Sequence, residues 1–112
     1  MNKVVCNACY GGFSLSKRAV KWLAENGRDH IKAIAMAELE QNPNEDFGYH
    51  LGIRRHDPDL VRCVETLGAK ASSGMCAFLD IVEIDGNQYR IEEYDGYETV
   101  MQPKDYRFVT IE

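Results

Sequence analysis

Long apolar runs are missing from this chain. None approaches the about 20 residues that cross a bilayer, and the N-terminus has no basic stretch followed by an apolar one of the kind that directs export. Neither a membrane span nor a membrane partner is expected, and a cytoplasmic location is. Basic residues are in deficit: 13 lysines and arginines face 18 aspartates and glutamates, for a net charge of −5. That field opposes a phosphate backbone, so general nucleic-acid binding is not expected. It suits a basic partner surface, or a small anion held in a local pocket. Cysteines are few (Cys6, Cys9, Cys63 and Cys76) and, without an export signal, are expected to stay reduced. Cys63 and Cys76 read as small buried hydrophobes. His30, His50 and His56 are scattered and make no zinc knuckle with the cysteines, so no metal or cofactor is expected. Repeats, low-complexity tracts and linkers are absent too. What is there is the balance of one globular domain, 45% hydrophobic and 28% charged over 112 residues.

The pattern predicts strand, helix, helix, strand, helix, then several strands. Lys3 to Cys6 is a β-rich run. Ser14 or Ser16 caps a helix ending at Asn26-Gly27, with glycine as a left-handed stop. Asp29 caps a second helix with apolar Ile31, Ile34, Ala35 and Leu39, closed by Pro43. Tyr49 to Ile53 alternates as a strand. Asp57-Pro58-Asp59 starts a third helix, through Leu60, Val61, Val64 and Leu67 to a stop at Gly68, with Ala69 to Gly74 as a loop. From Met75 onward the chain reads as β, with a long strand over Ala77 to Ile84, turns at Asp85-Gly86, Asp95-Gly96 and Gln102 to Asp105, and a last strand over Tyr106 to Ile111. The expected fold class is α/β (α+β). It is a two-layer domain with a mixed sheet of about five or six strands, a C-terminal antiparallel meander, and about three helices mainly on one face. So small a core makes a homo-oligomer the expected state.

Three stretches carry candidate chemistry. Tyr10-Gly11-Gly12-Phe13-Ser14 leads to Ser16, between the first strand and the first helix. Paired glycines let a ligand or a second backbone come close, and the helix start behind them suits an anion. The bland alternative is a tight turn with Tyr10 and Phe13 in the core. Arg54-Arg55-His56 precedes the third helix, where two guanidiniums make an anion clamp or else pair with nearby carboxylates. Glu92 to Glu98 gathers four acids with Tyr94 and Tyr97 around Asp95-Gly96. Paired acids serve acid–base work, tyrosines stack on a base with Arg90 beside them, or the segment is only a turn. Cys9 with His50 or His56 as base is a further, weaker constellation.

The run Asn7-Ala8-Cys9-Tyr10-Gly11-Gly12-Phe13-Ser14-Leu15-Ser16, followed by Ala19, resembles the opening of a family of small, mostly uncharacterised proteins encoded by phages and prophages. Arg55 with Asp57 to Val61 and on through Val64-Glu65 to Leu67-Gly68 is similar to that family as well. So are Leu79 with Ile81 to Ile84, and Ile91 to Gly96 ending at Glu98. The helix from Asp29 to Leu39 and the tail after Met101 depart from the pattern. The resemblance implies a phage setting and host-cell cytoplasm, and brings no catalytic residues. Small phage proteins outside the structural and replication modules often act against host defence, which is an argument from setting. The first expectation is therefore a non-catalytic binder that sequesters a phosphate-bearing nucleotide immune signal. It would use Tyr10, Gly11, Gly12, Phe13, Ser14, Ser16, Arg54, Arg55, Arg90, Tyr94, Asp95 and Tyr97. The second is an acidic inhibitor that docks on a host defence nuclease, and the third a small enzyme using Cys9 or the acids near Tyr94.

Overall fold

A run of four buried residues, Val4, Val5, Cys6 and Asn7, sets the centre of the molecule. The computed structural model describes residues 1–43, 48–106 and 109–112. The run lies in β1 (Asn2–Asn7), which pairs antiparallel with β2 (Leu79–Ile84) from Asn2 opposite Ile84 to Asn7 opposite Leu79. A strand covered on both faces is continuously buried rather than alternating. β3 (Arg90–Tyr94) and β4 (Tyr97–Met101) form a hairpin on the expected Asp95-Gly96 turn, with φ of 49° and 86°. Both positions in such a two-residue turn need positive φ, which Asp-Gly supplies.

Three helices complete an α+β fold. α1 (Lys17–Asn26) is capped by Ser16, whose Oγ accepts from the Ala19 amide at 3.1 Å. α2 (Asp29–Gln41) follows, then α3 (Pro58–Ser72), where the Asp57 carboxylate accepts from the Asp59 amide at 2.8 Å. Pro58 opens α3, where a missing N–H is harmless. α1 packs between α2 and α3, α3 lies over β1 and β2, and β4 lies against β1. Leu15, Val20, Leu23, Ile31, Ala35, Leu60, Val64 and Leu79 meet in the core between these layers. Each large side chain buried there contributes about 1.5–3 kcal/mol.

The mixed sheet of about five or six strands does not form among the described residues, which carry two separate two-stranded antiparallel sheets. The meander breaks between β2 and β3, because β2 takes β1 as its partner. Tyr49 to Ile53 adds only one bridge, Tyr49 to Leu15, before Gly52 turns away at φ 71°. The expected turn over Gln102 to Asp105 forms as a short 3-10 turn at Pro103–Asp105, whereas the described residues of the last strand, Tyr106 and Val109 to Ile111, make no strand; Arg107 and Phe108 of that expected strand lie outside the described residues. Gly27 is extended at φ −74° rather than left-handed. A side chain there would meet the Leu23 carbonyl oxygen at 2.6 Å and the Ile31 side chain at 3.0 Å, so space and not φ demands glycine. Gly68 does have positive φ, 84°, but a further helical turn follows to Ser72, where a loop was expected. Arg28, not Asp29, precedes α2; the Asp59 carboxylate takes the Arg28 amide at 2.9 Å, placing an anion at that helix start. Cys63 is buried as expected, whereas Cys76 is exposed, at φ 67°.

Candidate functional site

Asn7 organises the region where the first motif meets the hairpin. Its side chain is fully buried and its polar atoms are all engaged. Nδ2 donates to the carbonyls of Cys9 at 2.7 Å and Gly96 at 2.8 Å, and Oδ1 accepts from the Phe78 amide at 2.8 Å. The Asn7 amide donates to Glu98 Oε1 at 2.8 Å. Arg55 grips the same carboxylate with both terminal nitrogens, at 2.5 and 2.9 Å, while its guanidinium lies 3.6 Å from the Phe13 ring centre. Hydrogen bonds to charged groups are worth about 1.5–3 kcal/mol each where water is excluded, so the hairpin is held firmly.

The paired glycines serve backbone contact. Gly11 donates to the Asp95 carbonyl at 3.3 Å, and a Cβ on Gly96 would stand 2.3 Å from the Gly12 nitrogen. A Cβ on Gly11 would stand 2.7 Å from Cys76 Cβ. Of the two occupants that the glycine pair admits, the chain itself supplies one, the tip of the hairpin.

Tyr10, Gly11, Gly12, Phe13, Arg55, Tyr94, Asp95 and Tyr97 thus come together around one joint. Ser14 is buried beside it, its Oγ 3.4 Å from the Met75 carbonyl. Ser16 is the α1 cap; its Oγ donates to the Ala71 carbonyl at 2.6 Å and its amide to Ser72 at 2.9 Å. Arg90 stands about 16 Å from the turn, by the rise of five strand residues, paired with Glu92 at 2.7 Å and lying over Tyr106. Arg54 is exposed on the approach to α3.

Among the described residues the two helix starts lie far apart. α1 begins beside the end of α3, through Ser16 and Ser72, and ends beside its start, through Arg28 and Asp59. Ten helical residues rise about 15 Å, so the starts sit at opposite ends of an antiparallel pair, each filled by its own capping side chain.

Tyr10 was expected in the core if the loop were only a turn, yet it is 62% exposed. Its ring lies 5.4 Å from that of Tyr97, itself the cross-strand partner of Tyr94, which is 78% exposed. Phe78 and Met75, on the neighbouring segment, are exposed as well. Such rings combine apolar area with a polar tip and few torsions to freeze, which makes them effective interface anchors.

Thiol chemistry has little support in this geometry. Burial pushes the Cys63 thiol up to about 12, and burial with Asp80 and Glu98 pushes Cys6 up to about 11, so neither forms a thiolate readily. Cys9 donates to the neighbouring Tyr10 carbonyl rather than to a histidine. His50 instead borders a cavity of about 180 Å³ with Gly11, Ser14, Met75 and Cys76, and no cysteine–histidine hydrogen bond forms among the described residues. Nor do those residues contain a group of three or more metal-ligating side chains. No described helix is long and apolar enough to cross a membrane.

Asn7 and Glu98 were not singled out from sequence as a pair. The available signal was an asparagine closing a strand and an acid two residues after a hairpin turn. Compared with family models, curated proteins and solved structures, the chain matches none.

Proposed function

We propose that this chain is a phage-encoded anti-defence protein that acts without catalysis, by docking its tyrosine face onto a basic surface of a host defence nuclease. The observation that carries this reading is the joint itself. The groups that would have gripped a phosphate at the glycine loop are spent internally: Arg55 on Glu98, Ser16 on α1. The same construction leaves Tyr10 and Tyr94 facing solvent on a fixed support. Exposed Glu93 and Asp95 flank the aromatics, and the chain as a whole carries −5, which favours a basic partner and speeds encounter with it.

The phage setting rests on the motif resemblance, and the mode of action on the surface. Inhibition by contact requires the protein in stoichiometric amount and no turnover. The test is protection of phage growth in a host carrying the targeted nuclease, with purified chain titrated against the isolated nuclease. Wild-type chain is expected to inhibit at near one-to-one ratio. Tyr10→Ala with Tyr94→Ala is expected to abolish inhibition while leaving the far-UV circular dichroism of the folded chain unchanged. Full inhibition by the double variant would overturn the reading. Self-association through the same face, the expected homo-oligomer, is separated by sedimentation: a dimer dispersed by the two substitutions would assign the tyrosines to a second copy instead.

A further inference from the structure

At the opposite end of β1, about 17 Å from the joint by strand rise, a second concavity has no part in the docking surface. It holds about 300 Å³ and is lined by Asn2, Lys3, His56, Ile84, Asn87 and Tyr89. That size is at the lower end for small-molecule sites, room for one phosphorylated sugar or nucleotide and not for an oligonucleotide.

Its lining pairs apolar surface with polar groups. Ile84, 2% exposed, is an apolar floor, and the Tyr89 ring makes a wall. His56 Nδ1 and the Tyr89 hydroxyl lie 2.7 Å apart, with the rings edge to face at 76°. That bond orients the imidazole and leaves Nε2 without a partner among the described residues. The Asn87 amide has none there either, while Asn2 donates to the Gly86 carbonyl at 2.6 Å. Lys3 holds Glu65 at 2.6 Å at the rim, and Glu83 lies on the same side. Burial pushes the Tyr89 phenol up, and Arg55 and Arg54 pull it back, which places two guanidiniums within electrostatic reach of this wall. On a chain of net charge −5, Lys3 and His56 line this one hollow, with Glu65 and Glu83 beside Lys3.

We infer that this hollow binds a small phosphate monoester of nucleotide size, the phosphate received by Lys3, His56 and the Asn87 amide and the ring or sugar lying against Tyr89. Exchange of Glu65 for phosphate at Lys3 is the rearrangement binding requires. The proposal stands apart from the docking reading, since it uses none of the tyrosines of the joint.

Amide-detected nuclear magnetic resonance on the intact chain tests it, with inorganic phosphate and adenosine 5′-monophosphate as probes. Saturating shifts at the Asn2 and Asn87 side-chain amides and at the Tyr89 backbone are expected, with tighter binding of the nucleotide. Lys3→Gln and His56→Ala are each expected to weaken it about tenfold, the usual loss of one hydrogen bond to a charged group. Tyr94→Ala is expected to leave it intact. Three results would overturn the proposal: no saturation by either probe, shifts unaffected by both pocket substitutions, or equal affinity for the two probes.

Discussion

Removing the Glu98 carboxylate is the most direct test of how the hairpin is held. In Glu98→Ala the Asn7 amide, on a fully buried residue, loses its acceptor, and Arg55 is left with an unpaired guanidinium. An orphaned buried N–H costs about 1–3 kcal/mol. Breaking a fully buried ion pair from one side costs about 3–5 kcal/mol. The Arg55 side chain is 23% exposed and regains some water, which lowers that second figure. With the orphaned amide at about 1 kcal/mol and the ion pair, discounted for that exposure, at about 2 kcal/mol, the sum is about 3 kcal/mol. Domains of this length have roughly 6–15 kcal/mol in hand, so the variant remains folded. Its midpoint falls by about 10–15 °C, at about 4 °C per kcal/mol. Urea unfolding followed by far-UV circular dichroism measures the loss. Arg55→Met, alone and combined with Glu98→Ala, closes a double-mutant cycle. A loss below about 1 kcal/mol, or strict additivity in the cycle, would refute the claim that Glu98 joins the hairpin to the core through Arg55 and Asn7.

Three further outcomes follow from the same geometry. Gly96→Ala is expected to cost about 3 kcal/mol, from positive φ plus collision with the Gly12 nitrogen, whereas Gly12→Ala, with open space around it, costs about 1 kcal/mol; chemical denaturation of both separates collision from strain. Burial pushes the Asp59 carboxyl up, but its hydrogen bonds and charge pairing with Arg28 outweigh this and hold it below the ordinary aspartate range. A depressed carboxyl stabilises the fold fully above ~pH 4 and ceases to do so as pH falls below it. Arg28 is half exposed, so the contribution is about 1 kcal/mol, and the midpoint difference between wild type and Asp59→Asn is expected to shrink from pH 6 to pH 2. Native chain treated with a disulfide reagent at pH 8 is expected to label Cys76 first and Cys63 last, since Cys63 is buried and pushed up to about 12; peptide mass mapping reads the order.

Local chemistry made the helix starts legible. Ser16 and Asp57-Pro58 announce themselves because a cap and its amide are two or three residues apart, and Asp95-Gly96 announces a hairpin for the same reason. Strand partners are another matter. β1 pairs with a strand more than 70 residues away, and nothing local in Asn2 to Asn7 names it. The alternation of Tyr49 to Ile53 misled because a loop laid over a core also buries every second residue, as Tyr49, Leu51 and Ile53 do against the helices. At the candidate site the residue types were legible and their partners were not. Arg55 reads as an anion clamp or as a partner of nearby carboxylates, and only the fold brings Glu98, 43 residues on, beneath it. The glycine pair left two occupants open, and only the folded chain shows the hairpin tip filling the gap.

The joint between loop and hairpin is made by main-chain atoms and by side chains turned inward. Residues pointing outward from it bear no share of that fastening. Tyr10, Glu93 and Tyr94 can therefore be exchanged while the support keeps its shape, with Asp95 held to its turn by positive φ, so that one scaffold is able to carry many different faces and be re-aimed at a new target by a handful of substitutions.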